Sequence, residues 1–446
     1  MTPTSSPSRL QPPSQERAHP GRRAAISERA LKAALSRIIR TGRLDLQLPD
    51  GRTHSFGTGA SRVVAAIHNW KTVRRIAFNP ELALGEAYMD GTLTIEQGDI
   101  YDFVELCLVN IGSVRGHWLL RVQRRIRMLG RRLMMHNPIG KAQENVAHHY
   151  DLSDDLYDLF LDAERQYSCA YYETPEDSLE DAQAAKMRHI AAKLRLEPGL
   201  KVLDIGSGWG GLGLSLVRAA GADVTGVTLS VEQQRHAQAR AEREGLAQNA
   251  RFLLQDYRLE TARYDRIVSV GMFEHVGAGH YDEYFAKVAD LLDKDGVALI
   301  HTIGSVGAPS APHPWIRKYI FPGGYIPSLS EITPAIEKSG LIVTDLEVLQ
   351  LHYAETLKAW RMRFLANRDR VAALYDDRFC RMWDFYLASC EAGFRHNGLV
   401  VFQFQLTRKV GNLPMTRDYI PEAEHRLAQS DHQGAAEGVS GLRKCG

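Results

Sequence analysis

A chain of 446 residues is long enough for two domains. With 44% apolar and 24% charged residues it belongs among ordinary globular proteins. Fifty-five Lys and Arg stand against 53 Asp and Glu, so the net charge of +2 points to no class of partner, and any electrostatic signal must be local. Five cysteines (Cys107, Cys169, Cys380, Cys390 and Cys445) contain no C-x-x-C pair and read as free thiols of a reducing compartment. No run of about 18 apolar residues predicts a spanning helix. The N-terminus lacks an apolar signal core, so a cytoplasmic location is expected.

In chain order, residues 1–24 are rich in Pro, Ser, Thr, Gln and Arg and are expected to be disordered. Residues 25–112 read as a small domain. Leu31, Leu35, Ile38 and Ile39 recur at helical spacing. Leu44, Leu46 and Leu48 alternate before Pro49-Asp50-Gly51, which predicts a hairpin, and Glu86 to Gly91 reads as a further turn. Residues 113–137 lie in a stretch from Leu106 to Gln143 that holds no Asp or Glu. It carries Arg115, Arg121, Arg124, Arg125, Arg127, Arg131 and Arg132, with Trp118 at one end and Leu119, Val122, Ile126, Leu129 and Leu133 at helical spacing. A basic amphipathic helix of this kind suits an anionic lipid surface. The competing reading is a linker helix with a solvated arginine face. Nucleic acid is disfavoured, because no nucleic-acid fold signature accompanies the charge.

Residues 138–421 carry the main domain, and 422–446 read as a flexible tail. Predicted strands are Lys201–Ile205, Ala222–Thr228, Arg251–Gln255, Tyr264–Val270, Val297–Thr302, Leu341–Leu349 and Leu399–Thr407. Helical patterns such as Val231–Glu244, with Ser230 as N-cap, and Tyr281–Leu292 separate the early ones. Alternating strand and helix predicts an α/β, doubly wound parallel sheet with its ligand at the carboxyl ends of the first strands. The run KVLDIGSGWGG from Lys201 to Gly211 supplies strand, glycine loop and helix start. Two ligands fit it. Gly206, Gly208 and Gly211 satisfy the dinucleotide fingerprint, but the next strand ends in Thr228-Leu229-Ser230, with no carboxylate for a ribose. Asp204-Ile205-Gly206-Ser207-Gly208 alternatively matches the D-x-G-x-G of S-adenosylmethionine-dependent methyltransferases.

Longer stretches decide between the two. HHYDLSDDLYDLFLD (His148–Asp162), QYSCAYY (Gln166–Tyr172), GVTLSVEQQ (Gly226–Gln234), LLQDYR (Leu253–Arg258), RIVSVGMFEHVG (Arg266–Gly277), HTIG (His301–Gly304), IFPGGYIPS (Ile320–Ser328) and HYAETLKAW (His352–Trp360) occur in this order. Over about residues 145–410 the chain resembles the cyclopropane-fatty-acyl-phospholipid synthases, with mycolic acid cyclopropane synthases as cousins. The resemblance implies a Rossmann-like, seven-stranded methyltransferase domain and a smaller N-terminal lipid-binding α+β domain. It implies an S-adenosylmethionine site at Tyr167, Ser168, Gly206, Ser207, Gly208, Thr228, Leu229, Ser230, Val231, Glu232, Gln233, Asp256 and Tyr257. Ser207 departs from the usual Cys. It further implies a bicarbonate base held by Cys169, Glu274, His301, the Ile303 backbone and Tyr353, with Cys390 as another active-site residue.

Tyr167, Phe273 and Tyr284 are candidate aromatic faces for a cation on the acyl chain. Taken alone, His301 would more often be a satisfied core histidine, and Cys169 and Cys390 small buried residues. His148 and His149 lack a third ligand, so no metal is expected. The implied substrate is unsaturated phospholipid at the inner membrane, met peripherally, and the family is compatible with a homodimer. A related lipid C-methyltransferase giving a methyl or methylene branch is the alternative enzyme, and an inactive lipid-binding module the non-enzyme reading.

The basic segment generates a direct test. Each basic residue near an anionic surface contributes roughly 1 kcal/mol. Replacing Arg121, Arg124, Arg125 and Arg127 with Gln is therefore expected to weaken sedimentation with anionic vesicles at low salt and to leave cofactor binding unchanged. Equal vesicle binding by both proteins would make the segment a linker.

Overall fold

The computed structural model describes residues 22–110 and 153–442, with side chains to residue 430. The arginine-rich segment, His148 and His149 lie outside the described residues. Two compact units divide between Leu106 and Cys107.

In the first unit, α1 (Arg22–Ile38) precedes β1 (Arg43–Gln47), β2 (Thr53–Gly57) and β3 (Arg62–Ile67). Then come α2 (Trp70–Phe78), α3 (Pro80–Met89), β4 (Leu93–Gln97) and α4 (Ile100–Val109). The four strands form one sheet in the order β2-β1-β3-β4. Strands β1 and β2 are the expected hairpin around Pro49-Asp50-Gly51. Two expectations are corrected. The first helix starts at Arg22, inside the stretch read as disordered, because its Ala- and Leu-rich face buries Leu31 and Ser27. Glu86 to Met89 is helical rather than a turn. Pro80 opens that helix, Glu86 is buried against Arg75, and the chain turns only at Asp90-Gly91.

The second unit begins with the short α5 (Asp154–Asp158) and α6 (Leu179–Lys193). It continues through β5 (Lys201–Ile205), α7 (Gly211–Ala220), β6 (Asp223–Thr228), α8 (Val231–Arg243), β7 (Ala250–Leu254), β8 (Tyr264–Val270), α9 (Tyr281–Leu291) and β9 (Leu292–Ser305). The remaining elements are α10 (Pro314–Tyr319), α11 (Leu329–Ser339), β10 (Ile342–Leu349), α12 (His352–Ala366), α13 (Arg368–Leu374), α14 (Asp377–His396), β11 (Leu399–Thr407) and α15 (Tyr419–Leu442).

The seven strands lie in the order β10-β11-β9-β8-β5-β6-β7. The order reverses at β5, so the crevice for a ligand opens above β5 and its neighbours. The sheet is parallel from β9 to β7, but β11 runs antiparallel to both β9 and β10. This departs from the all-parallel expectation, and it sets Gln403 of β11 directly opposite His301 of β9.

Strand alternation gives the sheet two unlike faces. Leu203, Ile205, Ile267, Ala298, Ile300, Phe402 and Phe404 pack with α9 and α11 residues into one apolar core. The opposite face carries Val202, Val224, Val268 and Leu299 against α6 and α7. At its β9–β11 end that second face becomes polar, with buried His301, Gln403 and Gln405.

The tail is also corrected, since residues 419–442 form a helix. Ile420 is buried, the Tyr419 hydroxyl accepts from Gln405 Nε2 at 2.7 Å, and Glu424 pairs with His189 of α6. A polar composition conceals these few anchors. Deleting residues 419–446 is expected to lower the unfolding free energy of this unit by about 2–5 kcal/mol in urea titrations, from one buried Ile and two lost polar contacts. An unchanged midpoint would mean that the helix contributes nothing to the fold.

Candidate active site

The glycine loop is shaped by its backbone. Gly206 and Gly208 have φ of +84° and +54°, in the left-handed region that side chains disfavour. A Cβ on Gly211 would sit 2.2 Å from the Glu164 carbonyl oxygen, so the start of α7 needs glycine to pass that chain. The loop opens onto a pocket at the carboxyl ends of β5, β6 and β7. Of the residues expected to bind cofactor, Gly206, Gly208, Thr228, Leu229, Gln233, Asp256 and Tyr257 line it. Residues not singled out in the sequence complete it, among them Gly271, Met272, His275 and Pro322.

The other expected cofactor residues lie off this lining. Ser207 is buried behind the loop. Ser230 caps α8 by accepting from the Gln233 N–H at 3.3 Å, which leaves Val231 and Glu232 on the exposed first turn, Glu232 paired with Arg235. Tyr167 and Ser168 belong to a neighbouring segment stitched between two helices. From α6, Gln183 Nε2 donates to the carbonyls of Gln166 and Ser168 at 3.2 and 3.0 Å, and Lys186 Nζ donates to Ser168 Oγ at 3.1 Å. From α12, Thr356 Oγ1 accepts from the Ala170 N–H at 3.1 Å and His352 Nδ1 from the Tyr172 N–H at 3.0 Å.

Tyr167 sits in an aromatic cluster. It stacks on Trp360 at 5.1 Å, meets Tyr157 edge-on at 5.4 Å, and its hydroxyl is 2.9 Å from that of Tyr386. Cys390 and Tyr353 are electrostatic neighbours of Tyr386, whose hydroxyl burial pushes well above its ordinary range. Burial pushes the Cys390 thiol up to about 12 and raises that of Cys169 further still, so both are thiols rather than thiolates. Phe273 and Tyr284, expected as cation-facing rings, are instead fully buried in the apolar core, 5.0 Å apart with Tyr281 stacked on Phe273.

Glu274 stands in the single 3₁₀ turn after β8, between the pocket-lining Met272 and His275. Its Oε1 accepts from the Ile303 N–H at 2.6 Å, and its carbonyl accepts from the Tyr325 N–H at 3.0 Å. Its Oε2 is buried without a partner among the described residues. Burial raises this carboxyl from an ordinary 4.5 to about 7. His301, two residues before Ile303 on the same face of β9, is 2% exposed, and its Nε2 is likewise unpartnered. Burial, reinforced by Lys186 and Lys193, pulls it down to about 3, so the ring is neutral. One strand end thus brings together Glu274, Ile303 and His301, with two buried polar atoms unsatisfied. Buried polar atoms left unpaired call for an explanation, and a bound water, ion or ligand is one.

Glu274 also links the site to stability. Its folded-state value lies above that of an unfolded chain, so folding takes up a proton. The stability this group allows is fully present below the ordinary glutamate range and is lost as pH rises toward and past about 7. Glu274→Gln cannot ionise, and it is expected to be more stable than the parent at pH 8, by up to on the order of 3 kcal/mol, with the gain vanishing near pH 4. Urea unfolding at both pH values checks this. A variant less stable at pH 8 would contradict the burial of an unpaired carboxylate.

Comparison with known proteins follows the same outline. Residues 139–404 match the family described as mycolic acid cyclopropane synthetase, and residues 30–115 match a domain of unknown function. The chain is 40% identical over 354 residues to cyclopropane-fatty-acyl-phospholipid synthase of Escherichia coli K12, covering 79% of this chain and 90% of that one. It is 38% identical over 360 residues to tuberculostearic acid methyltransferase UfaA1 of Mycobacterium tuberculosis H37Rv, covering 75% and 81%. Among solved structures, mycolic acid cyclopropane synthase CmaA1 complexed with SAH and CTAB superposes with a TM-score of 0.57 at 36% identity, over 61% of this chain and 99% of that one. With its fold, its glycine loop and more than half of its length matched, the chain belongs to the mycolic acid cyclopropane synthetase family of S-adenosylmethionine-dependent methyltransferases.

Proposed function

We propose that the protein transfers a methylene unit from S-adenosylmethionine to the cis double bond of unsaturated phospholipid acyl chains, giving a cyclopropane ring. The observation that carries this reading is the position of Glu274. Met272 and His275, on either side of the Phe273-Glu274 pair, line the glycine-loop pocket, while the Glu274 carboxyl turns to β9 at Ile303, two residues along the strand from His301. A methyl donor held in the pocket is therefore one residue away from a buried proton-handling group.

The reaction asks for this arrangement. The alkene π-electrons form a bond to the sulfonium methyl, the S–CH₃ bond breaks, and neutral S-adenosylhomocysteine leaves. The chain then carries a cation, and loss of a proton from the new methyl closes the ring. Water would trap the cation, and the aromatic cluster of Tyr167, Trp360, Tyr353 and Tyr386 supplies a dry wall with ring faces for positive charge. The unsatisfied Glu274 Oε2 and His301 Nε2 fit a small anion that carries one proton of its own, accepting from His301 and donating to Glu274. Cys169, Glu274, His301, the Ile303 backbone and Tyr353 would hold bicarbonate there, and when bound it would supply the base for the departing proton. Glu274 orients that group, His301 offers it a hydrogen bond, and neither touches the sulfonium.

A second reading has support in the 38% identity to a tuberculostearic acid methyltransferase. A methyl or methylene branch uses the same donor pocket and differs in which proton leaves. Among the described residues no helix is long and apolar enough to cross a membrane. Because the proposed substrate is phospholipid, we place the enzyme against a bilayer surface.

Incubation with S-adenosylmethionine and vesicles of defined unsaturated phospholipid, followed by proton NMR of the acyl chains, distinguishes the products. Cyclopropyl signals are expected, and a branched product without them would move the assignment to the second reading. In the same assay Glu274→Gln is expected to lose at least about 100-fold in turnover, while calorimetric affinity for S-adenosylmethionine stays within about twofold. Parallel loss of affinity and turnover would remove Glu274 from the proton-handling role.

A further inference from the structure

Behind His301 lies a chain of buried polar groups that the reaction scheme above does not use. Gln403 of β11 faces His301 across the antiparallel register, with its Nε2 3.1 Å from His301 Nδ1. On its other side the Gln403 Oε1 accepts from Lys193 Nζ at 2.9 Å. Lys193, the last residue of α6, is fully buried. It also pairs with Glu347 and lies 3.5 Å from Asp345 Oδ2. Glu347 in turn accepts from His189 at 2.7 Å.

Donor and acceptor counting leaves one arrangement. A lysine beside two carboxylates is an ammonium, which has three donors and no acceptor. The Gln403 atom that meets it must be the carbonyl oxygen. The amide NH₂ is then the group turned toward His301, and it can only donate. Nδ1 must therefore carry a lone pair. A neutral imidazole has one N–H, so that proton sits on Nε2, the buried ring atom without a partner among the described residues.

We propose that Gln403, held in one orientation by Lys193, is a positioning residue that fixes His301 as its Nε2–H tautomer and so keeps a single hydrogen-bond donor aimed at an acceptor ligand. The donor's part in turnover rests on the function proposed above; the tautomer itself does not. The device resembles the way a carboxylate sets a catalytic histidine, with one difference. A carboxylate on Nδ1 would place a proton there and free Nε2 as a base, whereas an amide NH₂ on Nδ1 does the opposite. His301 is therefore built to donate to an oxygen, and the proton leaving the substrate must be taken by something else.

The full-length protein with ring-¹⁵N histidine, observed by long-range ¹H–¹⁵N NMR at pH 7, reads the tautomer directly and without turnover. The His301 signals are those that vanish in His301→Gln. In the parent protein Nε2 is expected to be protonated and Nδ1 bare. Gln403→Glu keeps the side-chain shape and the Lys193 contact but presents an acceptor to Nδ1, so a proton is expected to appear on Nδ1. Lys193→Met releases the amide to rotate, and both tautomers are expected. A protonated Nδ1 in the parent, or a ring unchanged by Gln403→Glu, overturns the proposal; the first is read from the parent protein's own spectrum. Alongside, Gln403→Glu is expected to lose at least about tenfold in turnover with unchanged affinity for S-adenosylmethionine. A tautomer that changes while turnover does not overturns the donor's role in the reaction and leaves the tautomer assignment standing, so the two failures are told apart.

Discussion

Lys186 and Asp204 are the buried charges on which the site depends. Lys186 has no exposed surface, and Asp204 is 2% exposed in the middle of the sheet. Burial lowers the lysine to about 8 and raises the aspartate to about 7, each partly offset by the other. Taking such groups out of water costs several kcal/mol per ion, and the cost is tolerable only where hydrogen bonds surround them. Lys186 obtains these from Gln166 and Ser168, with Asp162 as a further charge neighbour. The segment that carries Tyr167 and Cys169 is thereby tied to the strand that carries the glycine loop. Removal of either partner would leave an uncompensated charge, which costs about 3–5 kcal/mol in comparable sites. The pair is therefore better understood as fixing the geometry of that segment than as adding stability.

The same helix repeats the device two turns on, at Lys193. Lys186, His189 and Lys193 project from one face of α6, and all are buried. Beneath them the sheet presents Asp204, His301, Gln403 and Gln405 in place of aliphatic side chains. A buried polar layer of this extent needs every donor and acceptor matched. Most are: Gln405 Nε2 donates to the Lys193 carbonyl and to Tyr419, Glu347 bridges Lys193 and His189, and Tyr171 stacks between His189 and His352. In this network the unpartnered Asp204 Oδ2, Glu274 Oε2 and His301 Nε2 stand out. Asp204 has Lys186 as its charge neighbour. The other two lie toward the end of β9, His301 on the strand itself and Glu274 bonded to it at Ile303.

Local pattern made much of this legible in the sequence. The seven strands of the second unit fall within a few residues of their expected places, since each is a short apolar run bounded by turns. The glycine loop was recognisable because Gly206 and Gly208 occupy backbone conformations that exclude other residues. The polar layer was not recognisable. In LVVFQFQLT of β11 the alternation of Phe with Gln reads as one buried and one solvated face. Gln183, Lys186 and Lys193, spaced along α6, likewise look like an ordinary wet helix face. Burial of both is a tertiary fact: two faces that each appear solvent-exposed are turned toward one another. The tail helix was missed for the same reason, because its anchors to Gln405 and His189 are polar. Pocket residues such as Gly271, Met272 and Pro322 come from loops whose convergence no local period reports. Phe273 and Tyr284 err in the other direction, since aromatic residues beside a motif belong more often to the core than to the site.

Burial acts in opposite senses on the ionisation of Glu274 and His301. Burial alone pushes a carboxyl toward its acid form and an imidazole toward its base form, so the two would come to rest uncharged. A neutral imidazole with its proton on Nε2 is a donor without being a strong acid. A carboxyl near 7 accepts or gives a proton at little cost around neutral pH. Between them they can bind a singly charged oxyanion without either committing a full opposite charge to it. In the reaction proposed above, a permanent cation in the position of His301 would hold such an anion more tightly, but it would also lower the anion's basicity and repel a cation on the acyl chain. Weak, directional binding by neutral donors would keep a bound group basic. The strongest charges nearby, Lys186 and Lys193, are engaged by Gln166, Glu347 and Gln403, and their fields also help to keep His301 neutral.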